Sequence, residues 1–501
     1  MLDIDCNNFS NASMKKLLIS ILPLCFAFSL FAQIKNKGFE NGRVNDLTLP
    51  LDWNLPLVKG YSSVLDQSEK YSGNSSFKIS NADSTIKGYQ TFSQIIPITV
   101  NKLKRLGISA YIKTKDVKGE VATWCQLWDS NGKQVGFQNL GMQQAVISGT
   151  GEWKKYTLNL TVDDNIKKLF FGSYLAGTGT VWFDDFEIEE LTTSNLPPSN
   201  EAAKYISDFT SIIRKNSIYT DSLNWTTIDE GITELSKGIK SIDEAKNVTN
   251  YVLGKLRQAG DHHSFIQTPS VAKAYATGNT NPRRTSSKLI EKNIGYISVP
   301  GFGSMDQKTK DDFAKDIQDR IRTLDTENEI AYWIVDLRSN NGGNMYPMIA
   351  GLGPLTGNGI LGYFVNGGAK KNYNSWSYDS KKGKNGAGLG VNIEKPYQLK
   401  KPDSKIAVLI GEGTGSSGEM TAISFIGKAN TKFFGQATGG YTSANVPYNL
   451  SDGSVLLLAV SYTADRNKKE YRGKIQPDIL VKEIEGEDVT LKAAQNWFLE
   501  K

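Results

Sequence analysis

From Ile406 to Ile426 the chain runs through a bare apolar strand (Ile406-Ala-Val-Leu-Ile410) and a glycine-packed turn (Gly411-Glu-Gly-Thr-Gly-Ser416-Ser417-Gly-Glu419). The amphipathic stretch Met420-Thr-Ala-Ile-Ser-Phe-Ile426 follows. A buried strand that passes into a helix through such a turn belongs to an α/β layer. It also presents a serine hydroxyl at the sheet edge, beside backbone N–H groups that no helix bond consumes. By itself this pattern favours Ser416 or Ser417 as a plain helix cap. A nucleophile would stand at the same place, so the rest of the chain has to decide between the two.

The surrounding pattern extends the α/β reading. Ile294-Gly-Tyr-Ile-Ser-Val299 and Ala331-Tyr-Trp-Ile-Val-Asp-Leu337 are expected as strands, with a helix marked by Phe313, Ile317, Ile321 and Leu324 between them. A hairpin is expected to turn at Asp452-Gly453. Val365 to Lys395, rich in Gly, Asn and Lys, is expected as a long surface loop or lid. We place this core at 286–501 and a helical part at 201–285, in which Ser241-Ile-Asp-Glu244 opens one helix.

Upstream the periodicity changes. Residues 33–192 carry short alternating segments between Gly, Asn, Asp and Ser clusters, which predicts an all-β antiparallel sandwich. Thr192-Thr-Ser-Asn-Leu-Pro-Pro-Ser-Asn200 has the composition of a linker, placed at 193–200. Residues 1–32 read as a secretory signal peptide: Met14-Lys-Lys, an apolar stretch and a cut after about Ala32, with Met14 as the start. The expected protein is therefore exported, to a bacterial periplasm or the exterior. Removing that segment leaves Cys125 alone, so no intrachain disulfide is expected. No later segment is apolar enough to span a bilayer. A net charge of +6 over 501 residues, without a dense basic block, gives no footprint for nucleic acid.

The chain has two histidines, and they are neighbours after the glycine that stops a helix: Gly260-Asp261-His262-His263-Ser264. Histidine is the usual acceptor of a serine proton near neutral pH. No Cys or third His accompanies the pair at metal-ligand spacing. The order His263 before Ser416 is opposite to that of α/β-hydrolases, and Thr414 breaks their G-x-S-x-G box. A second glycine turn ends a buried strand at Gly342-Gly343, where backbone N–H groups unobstructed by Cβ can serve an oxyanion.

Asp261-His-His263-Ser264, Asp336-Leu-Arg-Ser-Asn-Asn-Gly-Gly343, Thr414-Gly-Ser416-Ser-Gly-Glu419 and Gln476-Pro-Asp478 together resemble the motif series of the C-terminal-processing (tail-specific) serine peptidases. Within that family the tricorn-core and retinoid-binding-protein-like branch is the most similar. The resemblance spans about residues 200 to 485 and implies a ClpP/crotonase-like fold that hydrolyses peptide bonds through an acyl-enzyme. It implies Ser416 as nucleophile, His263 as general base, and an oxyanion hole from the N–H groups of Gly342 or Gly343 and Ser417. The lysine of the processing branch would fall at Tyr441, so catalysis would rest on His263. Glu470 lies near the position of the tricorn-like acid, and Ser264 adjoins the base; both are candidates to orient it. About thirty residues separate His263 from the strand at Ile294, too few for a PDZ domain of ordinary size.

For the sandwich, Gly38-Phe-Glu40 and Val181-Trp-Phe-Asp-Asp-Phe186 resemble carbohydrate-binding-module-like jelly rolls. That resemblance implies a structural calcium near Glu40 and Asp185 and a glycan ligand. Trp53, Trp124, Trp128 and Trp153 could stack on a sugar or fill the core. The expected function is that of a secreted serine peptidase acting on a peptide or protein without a catalytic cofactor. Its rivals are an inactive glycan- or peptide-binding envelope protein and an esterase acting on acylated polysaccharide.

Overall fold

The computed structural model describes residues 34–500 apart from 87, 144–145, 192–194, 279–283, 367–370, 382–383 and 386–389. The signal-peptide reading of 1–32 and the first residues of the linker lie outside the described residues.

The N-terminal unit is a β-sandwich made from strands that serve both of its layers. It contains β1 (Ser62–Asp66), β2 (Ser76–Asn81), β3 (Tyr89–Pro97), β4 (Lys104–Asp129), β5 (Gln134–Asn139), β6 (Ile147–Val162) and β7 (Ile166–Glu190). The start of β4 pairs with β6 and with the end of β7; the end of β4 pairs with β5 and with the start of β7. Between these halves the β4–β7 register slips at Lys115–Lys118. There Gly119 and Gly177 take φ of +139° and +93°, and a Cβ on either would meet the opposing carbonyl at 2.1 or 2.2 Å. A bulge of this kind bends a sheet, and the two halves close on one core. Phe77 of β2 meets Phe92 of β3 edge-on at 4.9 Å, beside Phe39, Trp53, Phe171 and Phe186. Of the four tryptophans singled out from sequence, Trp53 is core, whereas Trp124, Trp128 and Trp153 are half-buried.

Glu40, Asp184 and Asp185 surround Gly38, and each accepts a hydrogen bond from the 71–74 turn. Both Glu40 oxygens accept from Asn74 N–H, and Asp185 accepts from Ser72 Oγ at 2.7 Å. Among the described residues no group of three or more His, Cys, Asp or Glu gathers as a metal set.

Three helices form the neck: α1 (Asn200–Asn216), α2 (Trp225–Ser236) and α3 (Ile242–Gln258). Ser199 and Ser241 cap α1 and α3 through Ala202 N–H and Glu244 N–H. Tyr205, Phe209, Val248, Val252 and Leu256 bury together with Leu456 and Leu458. From its other side α3 holds the sandwich, through Lys255 to Asp163 and Asn250 to Gln138.

The chain continues through β8 (Phe265–Gln267), α4 (Pro269–Thr277), β9 (Ser286–Ile290), β10 (Ile294–Ser298) and α5 (Gln307–Glu327). Next come β11 (Tyr332–Asp336), α6 (Met345–Gly351), β12 (Gly359–Asn366), β13 (Tyr373–Asp379) and β14 (Lys405–Ile410). The last elements are α7 (Ser417–Ile423), β15 (Thr431–Gly435), β16 (Ala444–Asn449), β17 (Val455–Asp465), β18 (Glu470–Tyr471), β19 (Ile479–Leu480) and α8 (Val489–Leu499). One sheet, ordered β9-β10-β11-β14-β15-β19, is parallel except for β9. Its central strands are apolar on both faces because both are covered: Trp333, Val335 and Val408 pack with residues of α5, α6 and α7, and Ile334, Ala407 and Leu409 with Trp497 and Phe498 of α8. A second, antiparallel sheet is organised by β17, which pairs with β8, β12, β16 and β18.

One expectation fails here. The stretch 365–395 is not simply a loop, because β13 lies inside it with Trp376 and Tyr378 buried. Ser375 and Ser377 alternate with those rings, a period-2 signal hidden by the Gly, Asn and Lys on either side.

Candidate active site

The parallel sheet sets up the first half of the site. Past Ile410 the chain turns back onto the end of β11: Thr414 Oγ1 donates to Leu337 O at 2.9 Å, and Gly415 N–H donates to Asn340 O at 2.9 Å. Ser416 emerges with φ +52° and ψ −122°. Such a backbone costs a non-glycine residue about 1–3 kcal/mol, and strain of this kind clusters at functional sites. Glu419, fully buried, holds this turn. Its Oε2 accepts from Ser416 N–H at 3.0 Å, while its Oε1 accepts from Thr438 Oγ1 and from Gly440 N–H. Burial raises the Glu419 pKa above its ordinary value, against the lowering effect of these hydrogen bonds. The carboxylate thereby ties the nucleophile turn to the 436–443 loop.

The second half comes from the neck and the antiparallel sheet. Gly260, at φ +104°, ends α3's run. Buried Asp261 then folds the loop, its Oδ1 accepting from His263 N–H at 3.0 Å and from Ser264 N–H at 2.9 Å. Ser264 donates its hydroxyl to Asp261 and accepts from Ala459 N–H of β17 at 2.9 Å. It fixes the loop to the sheet and does not touch the imidazole.

The two halves meet at His263, whose Nε2 lies 2.9 Å from Ser416 Oγ. Its Nδ1 lies 3.0 Å from Ser443 Oγ. Asn445 Nδ2 donates to the His263 carbonyl at 2.8 Å. Burial pushes the His263 pKa below 6.5, with the Asp261 charge and a hydrogen bond at Ser443 opposing the shift. The structure thus seats an imidazole of lowered basicity against a serine hydroxyl. The adjacent His262 is exposed.

Glu470 does not orient this histidine. Its carboxylate is taken by Lys371, Arg472 and the Tyr373 hydroxyl on β18's flank. Ser443 occupies the place expected of an acid, and neither it nor Glu419's clamp had been anticipated. A lone hydroxyl 180 residues from the ring it meets carries no local pattern. Tyr441 stands at the mouth, its ring centroid 5.6 Å from that of His263.

The glycine turn takes a narrower form than expected. Gly342 N–H is committed to Asn340 Oδ1 at 3.1 Å, which removes it as an oxyanion donor. Gly342 instead permits close approach, since a Cβ there would lie 2.8 Å from Ser416 Cβ. Among the described residues no acceptor is recorded for the N–H of Gly343 or Ser417. Ser417 Oγ donates to Gly343 O, clasping the two turns together. Among the described residues, the N–H groups of Gly343 and Ser417 are therefore the ones left open where the two turns meet.

Residues 293–481 match peptidase family S41. The nisin-resistance protein of Lactococcus lactis subsp. lactis is 34% identical over 293 residues, covering 57% of this chain and 84% of that protein. The carboxy-terminal processing protease CtpA of Bacillus subtilis (strain 168) is 28% identical over 195 residues, 38% of this chain and 36% of CtpA. Among solved structures, a lipoprotein from Streptococcus agalactiae is similar with a TM-score of 0.49 at 26% identity, over 61% of this chain and 98% of that one. The β-rich N-terminal unit is thus joined to a peptidase domain, and the chain belongs to peptidase family S41, as a serine peptidase.

Proposed function

We propose that this protein hydrolyses peptide bonds through an acyl-enzyme on Ser416, with His263 as general base. The observation that supports this reading above others is the 2.9 Å contact between His263 Nε2 and Ser416 Oγ. In the acylation step His263 Nε2 takes the Ser416 proton as Oγ bonds to the peptide carbonyl carbon. The charge on the carbonyl oxygen falls to the Gly343 and Ser417 N–H groups. Collapse breaks the C–N bond, and His263 returns the proton to the leaving amine. Water, deprotonated by the same imidazole, then releases the acyl group. The Ser443 hydroxyl holds the ring so that Nε2 faces the nucleophile.

A fluorophosphonate tests this directly, since it labels an activated serine. Labelling is expected at Ser416 by peptide mapping, at a rate that rises as His263 loses its proton. Because burial lowers that pKa, the acid limb should lie below pH 6.5 and the rate should be level through neutrality. Modification at another serine, or an acid limb above 6.5, contradicts the assignment. The reading includes export, on the charged start and apolar stretch before Ala32; N-terminal sequencing of the mature protein checks the cut.

A glycan is the ligand we propose for the sandwich. Phe170 and Tyr174 alternate along β7 with buried Leu169, Phe171 and Leu175, and Trp124 and Trp128 alternate along β4 with buried Cys125 and Leu127. The outward face therefore carries Trp124 edge-on to Phe170 at 5.0 Å, with Tyr89 beside Tyr174 at 5.6 Å. Tyr174 OH donates to Glu120 at 2.7 Å, which sets polar groups beside the rings. Aromatic faces flanked by hydrogen-bonding groups suit a pyranose. An oligosaccharide retained by the full chain should be lost with Trp124→Ala; equal retention removes the assignment.

A further inference from the structure

The antiparallel sheet has a face that its core does not use. In the β8–β17–β16 register, Phe265 pairs with Leu457, which pairs with Pro447. The next row is Gln267, Val455 and Asn449. Side chains along a strand alternate between faces, and the neighbouring Ile266, Leu456, Leu458 and Tyr448 point into the neck core. Phe265, Leu457 and Val455 belong to no core cluster. Phe265 remains 39% exposed, and Pro447 is exposed as well. Leu457 and Val455 between them are half-buried, so this apolar row is contiguous and only partly covered.

Its place relative to the catalytic pair gives it a role. Asn445 shares the face of Pro447, sits level with Ala459, and donates to the carbonyl of His263. The Phe265–Leu457–Pro447 row is therefore one two-residue step from the level of the base, about 7 Å by strand rise. Residues two apart in an extended peptide are separated by the same distance. A peptide whose scissile carbonyl lies at Ser416 Oγ would bring a side chain within about two residues of the cut over this floor.

We infer that Phe265, Leu457 and Pro447 form a specificity subsite, and that the enzyme selects peptides carrying an apolar side chain within two residues of the cleaved bond. This rests on the peptidase reading above. Its occupant follows from continuity with the site: the face begins at the histidine and carries no charged side chain among these rows. A charged side chain placed there would give up water for Phe and Leu without a counter-ion.

The test is a set of fluorogenic peptides that differ at one position near the cut, Leu or Phe against Lys or Asp, hydrolysed by the full chain. Wild type should prefer the apolar members by about tenfold or more, the range a hydrophobic pocket supplies. Phe265→Glu should reduce the Leu-to-Lys ratio of kcat/KM by at least about tenfold, whereas Phe265→Leu should keep it within about threefold. Thermal melting reports whether each variant folds, and Pro447→Asp addresses the same row should Phe265→Glu fail to melt cooperatively. An unchanged ratio in the folded charged variants overturns the subsite. A dimer lost on Phe265→Glu at constant preference also overturns it and makes this face a contact between copies. Hydrolysis that persists in Ser416→Ala fails differently: it removes the peptidase assignment beneath the subsite.

Discussion

Ser416→Ala is expected to lower kcat on any peptide substrate by about 10⁴-fold or more, with KM little changed. The serine supplies the bond-forming oxygen, and in a serine peptidase its loss removes the covalent route while leaving only binding and the oxyanion donors. His263→Ala should cost nearly as much, because a hydroxyl without the base at 2.9 Å is a poor nucleophile near neutral pH. The double variant should be no slower than the worse single one, since residues acting as one unit are strongly non-additive. Single-turnover kinetics on purified, cooperatively melting variants would measure this. Additive losses, in which the double variant falls by the product of the two, would mean that the residues act independently.

Gly343→Ala is expected to be the most damaging substitution outside that pair. A Cβ at this position would lie 2.0 Å from the carbonyl oxygen of Phe302, and the backbone stands at φ +110°, which alanine rarely adopts. Relief requires the turn to move, and the turn carries both an oxyanion donor and the carbonyl that Ser417 Oγ grips. Losing one such donor alone costs about 10²–10³ in kcat. We expect at least that loss, together with a lower melting temperature. Gly413→Ala is a useful contrast in the neighbouring turn: its Cβ would meet Arg338 O at 2.5 Å, but no positive φ is imposed there. A Gly343→Ala enzyme with kcat within threefold of wild type would show that the hole is built from other donors.

Much of this was legible in the chain, and the reasons differ by element. The strands at 332–336 and 405–410 declare themselves because both faces are buried, leaving no polar interruption. His263 and Ser416 could be singled out because the helix stop at Gly260 and the turn at Gly411–Gly415 are local signals. Gly342 could not be separated from Gly343, because the difference is a single hydrogen bond to the Asn340 side chain. Glu470 illustrates the limit of spacing: it lies near a motif position, but Lys371 and Arg472 claim its charge. Ser443 was invisible because its meaning comes only from β16 and β8 both docking on β17. β13 is masked by composition, its two inward rings being outnumbered by the Gly, Asn and Lys beside them.

The division of the catalytic pair between two sheets also dictates when the enzyme can first exist. The loop carrying His263 leads into β8, three residues whose strand pairing is with Val455–Leu457. The imidazole's other partner, Ser443, enters the sheet through the same late strand. As the polypeptide emerges from its N-terminus, the base is made long before the strand that will seat it, and the nucleophile turn arrives between the two. A chain that stops short of Val455 therefore contains His263, Ser416 and Ser443 without the strand on which β8 and β16 pair.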